Sequence, residues 1–192
     1  GVPISWHDFT KHEADQQLRL LEPFEKDIQI KNVQFNTNND LKEKVGELVN
    51  LKNNEQYVVI HPTFGKGNRG WPVDNYAALI DMINKDTDLK VILSGGIHDK
   101  VVTDVIEEKT TSNIINLAGK TNLDELLYII QHSVCVIGAE TGPTHIGALC
   151  KRPIISISPT KYTSSFRWGP YNTNHIILKK NKECPLICNT YK

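Results

Sequence analysis

The sequence predicts an α/β fold, a Rossmann-like parallel sheet with helices on both faces. Two observations predict it. From Tyr57 onward, short apolar runs alternate with longer segments whose apolar residues recur at helical spacing, which is the pattern of β-α-β units. Glycines, hydroxyl groups and charges then follow the ends of the apolar runs, where an α/β sheet binds its ligands. The 192 residues suffice for one sizeable core, with or without a further fragment.

The part of the chain before Tyr57 differs in composition from the rest. Residues 12–21 have leucines at helical spacing and are followed by Glu22-Pro23, so we expect an amphipathic helix that ends there. Residues 31–40 are polar and rich in asparagine, which is typical of a linker with, at most, a short edge strand. A helix is expected over residues 41–51. We therefore divide the chain into an interdomain segment and linker and a Rossmann-like domain, residues 1–40 and 41–192.

The regular part of the sequence predicts six strands joined by helices. The strands are expected at residues 57–60, 89–93, 114–117, 134–137, 154–157 and 176–178. The helices are expected at residues 73–83, 99–108, 123–131 and 144–150. The third of these helices has the clearest start, because Asn122 can cap its first turn. Strands that alternate with helices in this way form a parallel sheet.

Composition excludes several classes of function. Basic and acidic residues number 22 each, so the formal net charge is zero, which argues against binding nucleic acid through bulk charge. No apolar run approaches the length of a membrane span, and the first residues lack the pattern of a signal peptide. Cys135 and Cys150 fall in predicted core elements, whereas Cys184 and Cys188 form a single C-x-x-x-C pair, which is weak evidence for zinc. We expect a cytoplasmic protein with reduced thiols.

The stretch from residue 134 to 149 predicts an anion site. An apolar strand ends at Gly138, and Gly142-Pro143 begins a helix whose first N–H groups are free to bind an anion such as phosphate. Polar side chains that could hold a sugar or a ribose surround this helix start: Glu140, Thr141 and His145. A corner of this kind also occurs in proteins that bind nothing there, so its value as evidence for a ligand site depends on whether the other loops also carry ligand-binding residues.

Two further loops follow strands at the same predicted edge. The loop after the first strand contains three glycines with Thr63, Lys66 and Arg69, a composition suited to phosphate. The loop after the second strand contains Gly95, Gly96 and Asp99, and the carboxylate could accept hydrogen bonds from ribose hydroxyls. The D-x-D pattern at residues 86–88 lies between a helix and the next strand, on the opposite edge, and is interpreted as a solvated turn.

Other motifs of nucleotide enzymes are incomplete. The glycines at 65, 67 and 70 match G-x-G-x-x-G, but Trp71-Pro72 follows and no helix opens at the third glycine. There is no complete phosphate-binding loop of an NTP-hydrolysing enzyme, and no G-x-S-x-G elbow.

Taken in order, six segments resemble a known family. IHPTFGKGNRGWPVDNY, VILSGG, NLAGKTNLDEL, VIGAETGPTHIGAL, PIISISPT and RWGPY resemble the C-terminal half of the family 9 glycosyltransferases, the ADP-heptose:lipopolysaccharide heptosyltransferases. The resemblance extends over residues 57–188. It implies a GT-B enzyme, in which the C-terminal Rossmann-like domain binds the nucleotide-sugar donor. The N-terminal domain of such an enzyme carries the acceptor site and usually the catalytic base.

The resemblance also implies roles for individual residues. Arg69 and Lys66 would stabilise the leaving nucleotide diphosphate, without a metal or other cofactor. The catalytic base is expected to lie outside this chain, and His145 is the second choice for that role. Glu140 stands where the family usually has Asp, so both heptose and a related sugar stay open as the transferred sugar. The donor contacts are expected from Thr63, Gly95, Gly96, Asp99, Glu140, Thr141, Gly142 and His145.

On this interpretation the whole enzyme transfers a sugar, with inversion, from ADP-heptose to a lipopolysaccharide core acceptor held by the N-terminal domain. The chain alone is expected to be inactive, and the enzyme to work in the cytoplasm, with peripheral contact to the inner membrane. Two alternatives stay open. One is a GT-B-like sugar-nucleotide epimerase or hydrolase, and the other is a non-catalytic nucleotide-binding fragment.

Overall fold

The computed structural model describes residues 11–24, 35, 38–52, 55–63, 70–158 and 164–179. The helices are α1 (Glu13–Leu18), α2 (Asn39–Val49), α3 (Val73–Asp86), α4 (Lys100–Lys109), α5 (Leu123–Gln131), α6 (Gly142–Leu149) and α7 (Ser164–Trp168). The strands are β1 (Tyr57–His61), β2 (Lys90–Leu93), β3 (Ile115–Asn116), β4 (Cys135–Gly138), β5 (Ile154–Ser158) and β6 (His175–Lys179). Turns of 3-10 helix follow α1 and precede α4, at Arg19–Leu21 and Ile97–Asp99. Within these segments, no helix combines the length and apolarity that crossing a bilayer requires.

The six strands form one parallel sheet in the order β3-β2-β1-β4-β5-β6. This is the strand order of a Rossmann fold, and the predicted fold class is confirmed. β1 lies between β2 and β4, so the chain reverses its direction of winding at the β1–β4 pair. In folds of this kind the crevice beyond the carboxyl ends of those strands is where ligands bind.

Helices cover both faces of the sheet because its central strand is apolar on both sides. Val58 and Ile60 of β1 pack in a cluster with Tyr76 and Ile80 of α3 and with residues of α4. Tyr57 and Val59, the alternate residues of the same strand, pack in a second cluster on the opposite face. That cluster is completed by apolar residues of α2, α5 and α6: Val45, Val49, Ile129, Ile130 and Ala148. The two cores make β1 fully buried, and its carboxyl end therefore has a fixed position.

The start of α5 shows how local sequence determines an element. Asn122 Oδ1 accepts the N–H of Glu125 at 2.9 Å, and Glu125 Oε2 accepts the N–H of Asn122 at 2.9 Å. The other carboxylate oxygen of Glu125 lies 2.5 Å from Lys44 Nζ, which joins α5 to α2. The side-chain bond to Lys44 and the backbone bond to Asn122 lower the pKa of Glu125. The predicted cap at Asn122 is confirmed.

Most differences from the predicted elements lie at their ends. Asn39 and Asp40, assigned above to the linker, form the first turn of α2, because Asn38 Oδ1 caps the N–H of Leu41 at 2.8 Å. The strand expected at 114–117 pairs over only two residues. α7 was not predicted, since its five residues are too few to show a helical pattern. Most of residues 31–40 lie outside the described residues, and the domain boundary remains a prediction.

Candidate functional site

The carboxyl ends of three adjacent strands bring the predicted site loops together. Ser94 N–H donates to Ile60 O at 2.9 Å, and His61 is paired with Gly138, so the loops after β1, β2 and β4 begin side by side. Gly119 N–H donates to Gly95 O at 2.9 Å, which adds the loop after β3. The predicted residues that the structure describes therefore lie along one edge of the sheet: Thr63, Gly95, Gly96, Asp99, Glu140, Thr141, Gly142 and His145.

A buried histidine links the ends of β1 and β2. His61 is 9% exposed; its Nδ1 lies 3.1 Å from Ser94 Oγ, and its Nε2 lies 3.1 Å from Thr63 Oγ1. Burial lowers the pKa of His61, although the negative charge of Asp99 opposes this shift. His61 and Ser94 were not among the predicted site residues. Their signal in the sequence was a polar residue at the end of each otherwise apolar strand.

The loop after β2 is built around Asp99. Asp99 Oδ2 accepts the N–H of Gly96 at 2.8 Å and so closes the short 3-10 turn. A Cβ on Gly95 would lie 2.8 Å from Asp99 Cβ, so this position admits only glycine without movement of the turn. Asp99 is half-buried, and its Oδ1 makes no hydrogen bond with the described residues. That oxygen is available to a ligand hydroxyl.

The corner between β4 and α6 is held by a buried threonine. Thr144 is fully buried, and its Oγ1 accepts the N–H of Thr141 at 3.1 Å and lies 2.8 Å from Ala139 O. α6 therefore begins at Gly142, as predicted within two residues, with Thr141 as its N-cap. A Cβ on Gly142 would meet no atom of the described residues within 4 Å, so there is room beside the first residue of the helix. The positive end of the helix dipole lies at this residue.

Glu140 carries an unsatisfied atom at this corner. Its Oε1 is buried and has no hydrogen-bond partner among the described residues. A buried carboxylate oxygen without a donor costs free energy, and a hydroxyl group of a bound ligand would remove that cost. The geometry therefore suits Glu140 to a sugar or ribose hydroxyl, rather than to a phosphate, which would repel it.

His145 lies half-buried in the first turns of α6. Burial lowers its pKa most, repulsion from His12 lowers it further, and attraction to Glu140 acts in the opposite direction. The interaction with His12 shows that the N-terminal segment reaches the corner. His12 Nε2 lies 2.9 Å from Gly169 O, and its ring packs 4.7 Å from that of Tyr171.

An ion pair and a hydrogen bond join this N-terminal segment to the end of α7 and to the loop that follows it. Arg167 Nε lies 2.6 Å from Glu13 Oε2, and the hydroxyl of Tyr171 donates to Asp15. α7 itself follows β5 at the ligand edge, where Ser165 Oγ donates to Ser158 Oγ at 3.1 Å. Residues 12–15 therefore lie beside α7 and the loop after it, near the candidate site.

Some predicted features lie elsewhere. Lys66 and Arg69 lie outside the described residues, as do Cys184 and Cys188. The D-x-D pattern forms the end of α3 and the turn before β2, where Thr87 Oγ1 donates to Ile83 O at 2.7 Å, so its position on the opposite edge is confirmed. Among the described residues, no three acidic, histidine or cysteine side chains are grouped as metal ligands.

Comparison with known proteins gives consistent matches. A sequence model of glycosyltransferase family 9 (heptosyltransferase) matches residues 6–190. Lipopolysaccharide heptosyltransferase 3 of Escherichia coli (strain K12) is 33% identical over 132 residues, which are 68% of this chain and 38% of that enzyme.

Solved structures share the fold. A family 9 glycosyl transferase from Veillonella parvula DSM 2008 matches with a TM-score of 0.80 at 20% identity, over 89% of this chain and 49% of that one. The E. coli ADP-heptose LPS heptosyltransferase II matches with a TM-score of 0.68 at 19% identity, over 80% of this chain and 47% of that one. The chain spans less than half the length of each of these three proteins.

Proposed function

Because this chain belongs to glycosyltransferase family 9, the heptosyltransferases, we propose that it is the donor-binding half of a heptosyltransferase. The proposed reaction transfers heptose from ADP-heptose, or a closely related nucleotide sugar, to a lipopolysaccharide core acceptor. Its support is the family match together with one structural observation: Thr63, Asp99 and Glu140 follow three adjacent strands at one edge of the sheet. The related E. coli protein is a lipopolysaccharide heptosyltransferase, which favours the same acceptor class here.

The proposed division of roles follows the charge of each group. The N-terminal end of α6 faces the diphosphate, with Thr141 and Gly142 beside it, and Lys66 and Arg69 supply positive charge. Asp99 and the glycines at 95 and 96 take the ribose. Glu140, which cannot face phosphate without repulsion, takes hydroxyls of the sugar.

In the proposed step, an acceptor hydroxyl attacks the anomeric carbon and the bond from that carbon to the diphosphate oxygen breaks. The bonding electrons leave with ADP, the acceptor proton passes to a base, and the anomeric configuration inverts. We assign the base to the part of the enzyme that holds the acceptor. His145, whose pKa is lowered, is the second choice, since a ring that is neutral near pH 7 can accept a proton.

The acceptor would be bound outside this chain, by the N-terminal half of the enzyme. We also propose that the enzyme works on the cytoplasmic side of the inner membrane, in peripheral contact with it, where a lipid-linked acceptor would be accessible.

Calorimetry on the 192-residue chain tests the donor assignment. We expect ADP to bind more tightly than UDP or GDP. Arg69→Ala and Lys66→Ala should weaken ADP binding, whereas Lys42→Ala, on the exposed face of α2, should leave it unchanged. A preference for UDP would contradict an ADP-heptose donor.

A further inference from the structure

His61 is a buried polar residue that the proposed reaction does not use. It lies at the last position of β1, and its two ring nitrogens contact two hydroxyl groups from different loops. Nδ1 is 3.1 Å from Ser94 Oγ, at the end of β2, and Nε2 is 3.1 Å from Thr63 Oγ1. All three side chains are less than one-tenth exposed. The result is a continuous chain of polar atoms that ends at a predicted donor contact.

The backbone around His61 leaves the ring little freedom. A Cβ on Gly138 would lie 2.8 Å from the carbonyl oxygen of His61 and 3.4 Å from its Cβ, so β4 packs directly against this residue. Ser94 N–H donates to Ile60 O at 2.9 Å, which fixes Ser94 relative to β1. The backbone of His61 is therefore held between β2 and β4, and its ring contacts Thr63 from this fixed position.

Binding of a diphosphate would fix which atom donates and which accepts in each of these hydrogen bonds. A diphosphate oxygen only accepts hydrogen bonds, so Thr63 can bind it only by donating its single hydroxyl proton. The oxygen of Thr63 is then left to accept from Nε2–H of His61, and Nδ1 accepts from the Ser94 hydroxyl. Ser94 has one hydroxyl proton, so its donation to Nδ1 at 3.1 Å replaces donation to Ile60 O, which lies farther away at 3.5 Å.

We propose that His61 is a positioning residue of the donor site, which aims the Thr63 hydroxyl proton at the diphosphate while Ser94 holds the far side of the ring. The proposal rests on the proposed function, because it requires a nucleotide diphosphate in the site. His61 itself touches neither donor nor acceptor.

Two substitutions of similar size separate the two ring contacts. In His61→Gln the side-chain amide nitrogen can occupy the place of Nε2 and keep the contact with Thr63. In His61→Asn the side-chain amide oxygen can occupy the place of Nδ1, accept from the Ser94 hydroxyl and keep only that contact. By calorimetry with ADP on the full chain, we expect His61→Asn to weaken binding about three- to tenfold, the worth of one hydrogen bond, and His61→Gln to weaken it clearly less.

Thr63→Val provides the control that distinguishes positioning of the Thr63 hydroxyl from a purely structural role of His61. In that background both His61 variants should bind ADP equally well, since there is no hydroxyl left to position. Equal losses for His61→Asn and His61→Gln in the parent chain would overturn the proposal. So would a loss for His61→Asn that persists in Thr63→Val.

NMR of the histidine ring nitrogens tests the same contacts without depending on ADP. Thr63→Val should shift the Nε2 resonance of His61 and Ser94→Ala the Nδ1 resonance, and the ADP-bound chain should carry the ring proton on Nε2. The proposal is wrong if neither substitution shifts the ring nitrogen resonances of His61, or if the ring proton lies on Nδ1 with ADP bound. This test remains valid even where the His61 variants fail to fold. Failure of the parent chain to bind ADP would instead count against the proposed function.

Discussion

Among single residues, Glu140 has a buried Oε1 that lacks a hydrogen-bond partner among the described residues. Glu140→Gln removes the charge at nearly constant volume. We expect the free energy of unfolding to stay within about 1 kcal/mol of the parent value or to rise, because no hydrogen bond to Oε1 is lost. Affinity for ADP-heptose should fall, and affinity for ADP should not.

The control for Glu140→Gln is Glu47→Gln, on the exposed side of α2, which should alter neither stability nor binding. Urea unfolding and calorimetry with both ligands measure the two effects. A loss of several kcal/mol in stability would mean that Glu140 has a structural partner instead of a ligand to bind.

Protonation of His61 gives a pH dependence with a definite sign. Burial lowers its pKa below the ordinary value of 6.5 in the folded chain, so the unfolded chain takes up the proton at higher pH. Stability is then fully present above pH 6.5 and falls as the pH drops toward the folded-state pKa. As the pH is lowered below 6.5, we expect the urea concentration at the unfolding midpoint of the parent to decrease and that of His61→Gln to decrease less.

Replacement of the exposed His98 by Asn serves as the matched control, since this side chain lies in solvent at the turn after β2. Its urea midpoint should follow the parent at each pH. Identical pH profiles for the parent and His61→Gln would show that His61 is not the group responsible.

At the scale of an element, close packing of β4 against β1 depends on Gly138. A Cβ there would lie 2.8 Å from the backbone oxygen of His61, and backbone in the middle of a sheet cannot move aside cheaply. We expect Gly138→Ala to lower the free energy of unfolding by roughly 1–3 kcal/mol. In contrast, Gly46→Ala, in α2, meets no atom within 4 Å and should raise it by about 0.5–1 kcal/mol. Urea unfolding of the two variants measures the difference, and equal effects would contradict the assigned packing.

The elements themselves were largely predictable from the sequence. Strands such as β1 and β5 are apolar runs with glycine or polar residues after them, and α5 begins at a recognisable cap. β3 and α7 were not predictable at their true lengths, because two paired residues or five helical ones carry too little periodicity. The helix at Asn39 begins inside a segment that composition alone assigned to a linker, because capping by Asn38 is a local effect.

For the whole molecule, the sheet order explains why the site could be predicted in part. Once the strands are parallel, residues that follow them must lie at one edge, and this places Thr63, Asp99 and Glu140 on it without knowledge of the order. Which loops become neighbours depends on the order, and so do the contacts between side chains of different loops. His61 and Ser94 are 33 positions apart in the chain, and no spacing rule connects them.

The contact of the N-terminal segment with the end of α7 and the loop after it is a second feature that only the whole molecule shows. The residues that pair in it are more than 150 positions apart: Glu13 with Arg167, and Asp15 with Tyr171. The side chains of Glu13 and Arg167 are 15% and 28% exposed, so the pair is partly shielded from solvent. The arginine bond also lowers the pKa of Glu13. We infer that this pair fixes α1 beside the corner that holds His145.

Charge reversal tests that inference. Glu13→Arg places two cations together, and we expect faster hydrogen exchange at the backbone amides of α1 and of residues 167–171. The double variant Glu13→Arg with Arg167→Glu should restore protection, at least in part, because the pair is re-formed with opposite orientation. Glu22→Arg, an exposed change in the same segment, should leave the exchange of residues 167–171 at its parent rate. If Glu13→Arg changes exchange only within α1 itself, then the pair with Arg167 does not hold the two segments together, and the N-terminal segment would be free to move away from the candidate site.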